Sequence, residues 1–190
     1  MASVKINPMR LDGPWIEGFV LDFHTISSVP IGYRQYDTKR TELGELLYNF
    51  KYRGANSLLG DICDTAEQFV REWKRQIDYI VPAPPSIGRT SQPVVELARE
   101  LAKRLGIPVC EDALVKVKWT ESMKNIPDRL DREKVLKEAV QSGKGDVRGK
   151  SVLLFDDLFD TGSTLRRTAE VLLQNCGAKA VYALALTRTR

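Results

Sequence analysis

The sequence predicts an α/β protein in which helices cover both faces of a mostly parallel sheet. From residue 77 onward, short apolar runs alternate with amphipathic runs of helical periodicity. The apolar runs are unbroken, which is typical of strands that are buried on both faces of a parallel sheet. A chain of 190 residues is also long enough to bury a core of this kind in one domain.

Three apolar runs in this region are predicted to be strands, at residues 78–82, 151–155 and 180–186. Two amphipathic runs between them are predicted to be helices, at residues 91–105 and 164–175. Strands joined by such crossover helices run parallel, so this half of the chain predicts the core of the sheet.

The first half of the chain has a different pattern. Residues 18–26 alternate imperfectly between apolar and polar side chains, which predicts a half-exposed strand. Helical spacing follows at residues 43–50 and 58–73. We therefore predict a small accessory hood at residues 1–38 and a main α/β core at residues 39–190.

The segment before the strand at 151–155 is less regular. Residues 119–128 have no clear periodicity and are predicted to be a loop. Residues 128–140 are charged and amphipathic, and they are predicted to form a helix.

Composition excludes several classes of protein. With 43% hydrophobic residues the chain is not disordered, and no apolar run reaches the roughly 20 residues that span a bilayer. The first residues lack a signal-peptide pattern, so we expect a cytoplasmic protein without a membrane partner. Three scattered cysteines without a CxxC pair predict neither a disulfide framework nor a zinc site. A net charge of +4 is compatible with an anionic small molecule and does not by itself favour nucleic acid.

The most informative segment begins with two carboxylates. Asp156 and Asp157 follow the apolar run of the predicted strand, at the edge where open α/β sheets bind ligands. Adjacent carboxylates call for a partner that donates hydrogen bonds or carries positive charge, so sugar hydroxyls and a divalent cation are the candidates.

A short loop then leads directly into the helix predicted at 164–175. Gly162 allows a ligand to approach the backbone, and the helix N-terminus offers unpaired N–H groups and the positive end of the helix dipole. Hydroxyl groups surround this glycine, on Thr161, Ser163 and Thr164. The loop therefore predicts a phosphate site, and together with the carboxylates it predicts a site for a ribose 5-phosphate. The loop contains no lysine, which argues against a nucleoside triphosphate.

Two alternatives compete with this interpretation. Residues 152–157 also resemble the Walker B strand of an ATPase, but residues 145–151 are one residue too short to be its phosphate loop and they precede a strand. The carboxylates could instead be a helix N-cap and a surface acid. That explanation accounts for Asp160 but not for the adjacent pair at the end of an apolar strand.

Residues 152–164 resemble the phosphoribosyl-pyrophosphate (PRPP) motif of the type I phosphoribosyltransferases, an apolar strand, two acids and a T-T-G-x-T loop. The resemblance implies the type I phosphoribosyltransferase fold. It implies that Asp156 and Asp157 are the catalytic acids, which hold the ribose hydroxyls and contact Mg²⁺ indirectly through the ribose. The implied 5-phosphate loop consists of Asp160, Thr161, Gly162, Ser163 and Thr164. Asp160 stands where threonine or serine is usual.

A wider resemblance is to the ComF-like, competence-protein branch of amidophosphoribosyltransferase relatives. Residues 46–54 are similar to its FKYRG element, and residues 80–84 to the end of its Pro-rich strand. Two departures stand out. The branch often begins with a four-cysteine zinc module, which this chain does not carry, and its Arg-Gly-x-Asn-Gln element is reduced at residues 88–92.

By the same resemblance, the loop after the first core strand binds pyrophosphate. Its residues here are Ala83, Pro84, Pro85 and Ser86. The two prolines have no N–H to donate, so the guanidinium of Arg89 is a candidate for an additional phosphate ligand. Lys51 and Arg53 could face the same anion from the other side. The alternative for Lys51 and Arg53 is that they complement the dipole of a helix C-terminus.

The resemblance implies a Mg²⁺-dependent phosphoribosyltransferase, which transfers phosphoribose from PRPP to a nitrogen nucleophile and releases pyrophosphate. Two alternatives stay open, a PRPP- or nucleotide-binding regulator without turnover and an accessory factor in DNA uptake. The acceptor would be selected by residues 1–38 and the loop at 119–128, and a homodimer is common for this fold. The single histidine, His24, has no partner in the sequence pattern and is not predicted to be a catalytic base.

Overall fold

A five-stranded, mostly parallel sheet forms the centre of the computed structural model. The structure describes residues 4–33, 35–84, 92–116 and 140–189. The strands are β1 (Met9–Arg10), β2 (Glu17–Phe23), β3 (Thr25–Gly32), β4 (Gln35–Arg40), β5 (Tyr79–Pro82), β6 (Leu114–Lys116), β7 (Val140–Ser142), β8 (Ser151–Phe159) and β9 (Ala180–Arg188). The helices are α1 (Glu42–Arg53), α2 (Leu59–Trp73), α3 (Pro93–Leu105), α4 (Ser163–Gln174) and a 3₁₀ turn at Asn56–Leu58.

The central sheet has the strand order β1-β2-β9-β8-β5. β1 is antiparallel to β2, and the other neighbouring strands run parallel. Two antiparallel ribbons, β3–β4 and β6–β7, lie outside this sheet. The carboxyl ends of β5, β8 and β9 therefore meet at one edge.

Helices cover the two faces of the sheet, as the sequence predicts. Side chains of α1, α2 and α3 form one hydrophobic core with Leu153 and Phe155 of β8. Side chains of α4 form a second core with Val152 and Leu154, which alternate with the first pair along the same strand. The predicted α/β fold class is confirmed. In the part of the chain that the structure describes, no helix is long and apolar enough to cross a membrane.

The prediction of a half-exposed strand at residues 18–26 is wrong. β2 lies inside the central sheet, paired with β9, and Val20 and Leu21 are both 0% exposed. The alternation is imperfect because each face of β2 contributes to a different core. The chain bends at His24 and only then forms the β3–β4 ribbon, whose Val29 and Ile31 are 56% and 66% exposed.

The division of the chain at residue 38 therefore does not coincide with an edge of the central sheet, and the hood assignment of residues 1–38 stays a prediction.

The strand predicted to end at residue 155 is longer than expected. β8 continues to Phe159 because its pairing with β9 continues to Arg188. The loop predicted at 119–128 and most of the helix predicted at 128–140 lie outside the described residues, but Val140 begins β7.

Helix α1 is fixed against the end of β2 by its first turn. The hydroxyl of Thr41 donates to the Phe23 carbonyl at 2.6 Å and accepts from the Gly44 N–H at 3.0 Å. A Cβ atom on Gly44 would stand 2.1 Å from the carbonyl oxygen of His24. Only glycine allows this approach, and it determines where the C-terminal end of α1 lies.

We expect Gly44→Ala to lower the free energy of unfolding by about 2 kcal/mol, because the added methyl group forces α1 away from β2. Gly60→Ala is the matched control, since a Cβ there would meet only Arg104 Nη2 at an ordinary 3.6 Å. The control should gain a few tenths to about 1 kcal/mol from helix propensity. Denaturant unfolding of both variants measures the difference, and equal effects would contradict the close approach.

Candidate functional site

A cleft of about 340 Å³ opens at the carboxyl ends of β5 and β8. Residues predicted from the sequence line much of it, namely Lys51, Ala83, Pro84, Asp156, Asp157, Asp160, Thr161, Gly162, Ser163 and Thr164. The other three predicted residues, Pro85, Ser86 and Arg89, lie outside the described residues. The structure thus brings together segments that are more than 100 residues apart in the sequence.

An ion pair joins helix α1 to strand β8 inside the cleft. Nζ of Lys51 lies 2.8 Å from Oδ2 of Asp157, and the two side chains are only 9% and 13% exposed. Lys51 is in the last turn of α1, which ends at Gly54 with a φ of 66°. The last turn directs the ammonium group into the cleft, whereas Arg53 is exposed and lies over the Tyr48 ring.

The neighbouring carboxyl group, that of Asp156, has a raised pKa. Burial raises the pKa of Asp156 to about 7, and the charge of Asp157 acts in the same direction. The backbone N–H of Asp157 donates to Asp156 Oδ1 at 2.8 Å and opposes this shift. The free cleft therefore holds a carboxylate with a cationic partner beside a carboxyl group that keeps its proton to unusually high pH.

The only histidine of the chain contributes to this region. Nδ1 of His24 lies 3.2 Å from Oγ1 of Thr187, and the Thr187 hydroxyl is 3.2 Å from the backbone carbonyl of Asp157, to which it donates. We therefore assign the ring proton to Nδ1, which donates to Thr187. Burial lowers the pKa of His24, and the positive charges of Arg40 and Lys51 lower it further, so the ring is neutral.

Sequence reasoning could not detect this arrangement, because His24 and Thr187 are 163 residues apart and belong to no motif. Thr187 lies at the end of β9, next to β8, and His24 follows β2 on the other side of β9. The arrangement gives the backbone carbonyl of Asp157 a hydrogen-bond donor from β9.

The predicted phosphate loop connects β8 to α4. Gly162 has a φ of 78°, and a Cβ on it would stand 2.4 Å from the Phe159 ring, so the position requires glycine. The hydroxyls of Thr161 and Ser163 are 3.1 Å apart, and Thr161, Ser163 and Thr164 are all exposed. The loop thus presents hydroxyl groups and the first N–H groups of α4 to the cleft.

Asp160 is not a helix N-cap, because Gly162 occupies that position and α4 has no side-chain cap. The carboxylate instead accepts a hydrogen bond from the Thr189 hydroxyl at 2.7 Å. Thr189 follows the last residue of β9, and its backbone N–H donates to the Phe159 carbonyl. Asp160 is therefore tied to the end of β9 at the rim of the loop.

The described part of the predicted pyrophosphate loop contains few donors. The N–H of Ala83 already donates to the Phe155 carbonyl at 2.7 Å, and Pro84 has none. Among the described residues, two cationic side chains also line the cleft and can donate to an anion, Lys51 and Lys116 at the end of β6. Lys116 was not predicted, because β6 carries no motif that connects it to the other segments.

A metal ion would have to share this cleft with a ligand. Among the described residues, no three histidine, cysteine or acidic side chains converge as a metal site. Asp156 and Asp157 supply hard oxygen atoms of the kind that Mg²⁺ prefers, but two adjacent carboxylates are too few to enclose the ion. The two carboxylates therefore fit a Mg²⁺ ion whose other oxygen ligands come from the bound molecule.

Comparison with known proteins identifies the family. The model of the phosphoribosyl transferase domain family matches residues 93–189, about half of the chain. The chain belongs to this family. The match covers β8, the phosphate loop, α4 and β9, but it leaves out helix α1 with Lys51.

Three relatives extend the comparison. A ribose-phosphate pyrophosphokinase of Gloeobacter violaceus is 32% identical over 118 residues, which is 62% of this chain and 29% of that protein. The amidophosphoribosyltransferase of Escherichia coli is 31% identical over 117 residues, 61% of this chain and 21% of that protein. Competence protein ComFC of Bacillus subtilis is 27% identical over 158 residues, 82% of this chain and 64% of that protein.

This domain therefore spans less than a third of the length of the pyrophosphokinase and the amidophosphoribosyltransferase. The match to ComFC extends over most of the chain and confirms the resemblance to the ComF-like branch. Among solved structures, the glutamine PRPP amidotransferase of Bacillus subtilis has the same fold, with a TM-score of 0.54 at 22% identity over 82% of this chain and 34% of that one.

The protonation of Asp156 leads to a prediction about stability. A carboxyl group whose pKa is raised by folding stabilises the fold at low pH, and this contribution is lost as pH rises from its ordinary value of 3.8 through about 7. We therefore expect Asp156→Asn to have little effect on the free energy of unfolding near pH 3.8, where this side chain is neutral in both folded proteins. At pH 8 it should raise the free energy of unfolding by about 2 kcal/mol.

Denaturant unfolding of both proteins from pH 4 to pH 8 measures this difference, and the other titrating groups cancel in it. A difference between the variant and the wild type that does not change with pH would contradict the raised pKa.

Proposed function

We propose that this protein binds PRPP together with Mg²⁺ and transfers its phosphoribosyl group to a nitrogen nucleophile, with release of pyrophosphate. The observation that carries the proposal is the meeting of two adjacent carboxylates with a hydroxyl-rich helix N-terminus in one cleft of about 340 Å³. Membership of the phosphoribosyl transferase domain family supports it.

Each group in the cleft has a part in binding. The loop from Asp160 to Thr164 holds the 5-phosphate with its hydroxyls and with the N–H groups at the start of α4. Asp156 and Asp157 accept hydrogen bonds from the ribose hydroxyls. Accepting two such bonds favours the charged form of Asp156, so binding releases its proton to solvent at a pH near 7.

Lys51 has a different role in the bound state than in the free protein. Its ammonium group pairs with Asp157 at 2.8 Å in the free protein. When ribose hydroxyls donate to Asp157, Lys51 is released to contact the pyrophosphate group. Lys116, which also lines the cleft, adds a second positive charge for that group.

The reaction breaks the bond between C1 of the ribose and the pyrophosphate oxygen, which keeps the electron pair. The nitrogen lone pair of the acceptor forms the new bond to C1, and the acceptor nitrogen then gives up a proton to solvent. The carboxylates of β8 stabilise positive charge that develops on the sugar, and the loop keeps C1 in position. When bound, Mg²⁺ neutralises the negative charge of the pyrophosphate.

A second candidate function is PRPP binding without turnover, as in a regulator. The occupied N–H of Ala83, the absence of one on Pro84 and the negative charge of Asp160 favour it, because the first two leave fewer donors for phosphate groups and the third repels them. The match to a competence protein keeps an accessory role in DNA uptake as a third candidate. The compartment, the acceptor and the homodimer stay predictions.

We expect isothermal titration calorimetry with PRPP and Mg²⁺ to detect binding by the wild-type protein. The Asp156→Asn/Asp157→Asn double variant should bind at least about tenfold more weakly, since two charge-assisted hydrogen bonds are lost. The Asp37→Asn/Asp112→Asn double variant, at two exposed carboxylates away from the cleft, removes the same number of charges and is the control. Pyrophosphate release with a panel of amines and bases then separates the enzyme from the regulator.

An absence of heat with the wild-type protein would overturn both candidates. Equal affinity of the double variant and the wild type would exclude the carboxylates from the site. Binding without pyrophosphate release across the panel would favour the regulator.

The charge of Asp160 can be tested separately. We expect Asp160→Asn to bind PRPP about three times more tightly at low salt, because it removes a negative charge from the phosphate loop and keeps an acceptor for Thr189. The gain should disappear at high salt, where exposed charges are screened. Asp37→Asn, on the exposed ribbon, controls for net charge. Unchanged or weaker binding by Asp160→Asn would show that this carboxylate does not oppose the phosphate.

A further inference from the structure

We propose that Arg166 is a positioning residue for the 5-phosphate loop, which it clamps to a loop near the N-terminus of the chain. That second loop, residues 11–16 between β1 and β2, is called the Trp15 loop below. The proposal rests on the proposed function for the identity of its ligand, whereas the clamp itself is a property of the free protein. It makes the Trp15 loop part of the phosphate site, although the family model matches only residues 93–189.

The guanidinium group of Arg166 holds two backbone carbonyls at once. Nη1 donates to the carbonyl of Thr161 at 2.9 Å, and Nε donates to the carbonyl of Asp12 at 3.2 Å. Asp12 and Arg166 are 154 residues apart in the sequence. A planar guanidinium carries several donors in fixed directions, so it can bind two acceptors in a way that a single ammonium cannot.

The contact with Thr161 determines how the phosphate loop faces the cleft. A peptide carbonyl carries partial negative charge and would repel a phosphate if it turned towards it. Arg166 holds the Thr161 carbonyl, while Gly162 in the left-handed conformation begins helix α4. A Cβ on Gly162 would stand 2.8 Å from Arg166 Nη1 and 2.4 Å from the Phe159 ring, so both side chains pack directly against this residue.

The Trp15 loop is a fixed anchor for the other end of the clamp. Nε1 of Trp15 donates to the carbonyl of Leu11 at 2.8 Å, which closes the loop on itself. The indole ring fills the space beside Gly13 and Gly18, where a Cβ would stand 2.3 Å from it in both cases. The N–H of Ile16 also donates to the Val181 carbonyl of β9 at 2.9 Å, which ties the loop to the central sheet.

Two effects of Arg166 have to be separated, its positive charge near the phosphate and its two hydrogen bonds. Arg166→Lys keeps the charge but can reach only one carbonyl. Arg166→Gln removes the charge as well. Arg167→Gln is the matched control, because it removes the same charge from the next position of α4, where Arg167 pairs with Glu170.

The first measurement needs no ligand. We expect ¹⁵N relaxation to give the amide of Gly162 a rigid order parameter of about 0.85 in the wild type and in Arg167→Gln, and a value below about 0.6 in both Arg166 variants. Thermal unfolding confirms that the variants are folded. An order parameter for Gly162 that is unchanged in Arg166→Lys would overturn the clamp.

The second measurement is the calorimetric affinity for ribose 5-phosphate, the part of the ligand that the loop would hold. We expect Arg166→Gln and Arg166→Lys each to bind about tenfold more weakly than the wild type, and Arg167→Gln to stay within about twofold of it. Wild-type affinity in Arg166→Lys, or an equal loss in Arg167→Gln, would show that only charge matters and would overturn the proposal.

The two measurements also separate this proposal from the proposed function. If the wild type binds neither ribose 5-phosphate nor PRPP with Mg²⁺, the proposed function and the role of the clamp in binding both fail. The order parameter of Gly162 then still decides whether Arg166 fixes the loop. If the wild type binds and the Arg166 variants bind equally well, only the role of Arg166 is overturned.

Discussion

Asp156 and Asp157 are adjacent carboxyl groups on an inner strand, β8, of a covered sheet, and negative charge in such a place is unfavourable unless cations or donors face it. Lys51 supplies the cation for Asp157 at 2.8 Å, whereas Asp156 accepts from the backbone N–H of Asp157 and has a pKa that burial raises. The groups that face these two carboxyls are therefore cations and hydrogen-bond donors. A ligand that brings hydroxyl groups and a cation would relieve the same constraint, which is why we propose a ribose with its phosphates as the ligand.

Much of this arrangement depends on the position of β2 in the central sheet. Because β2 pairs with β9, its C-terminal end lies beside the carboxyl edge of the sheet, and the following segment brings His24 and then α1 to the site. The Trp15 loop precedes β2 and reaches the phosphate loop from the other side. The half of the chain that the family model does not match thus completes a site whose motif lies in the matched half.

The local parts of the site could be predicted from the sequence, because each depends on neighbouring residues. The strand, the acids, the glycine and the helix start of the phosphate loop are contiguous, and their chemistry requires those residue types. The contacts of His24, Lys116 and Arg166 could not be predicted, since their partners lie on elements that only the tertiary fold brings together. β2 was misassigned because burial on two faces produces the same mixed pattern as partial exposure.

The most direct test of this account is a crystal structure of the protein with PRPP and Mg²⁺. The account predicts the 5-phosphate within hydrogen-bond distance of the Ser163 and Thr164 N–H groups, and the ribose hydroxyls on Asp156 and Asp157. It also predicts that Nζ of Lys51 leaves Asp157 and contacts the pyrophosphate. A phosphate bound outside the loop, or an intact pair of Lys51 and Asp157 with PRPP elsewhere, would contradict it.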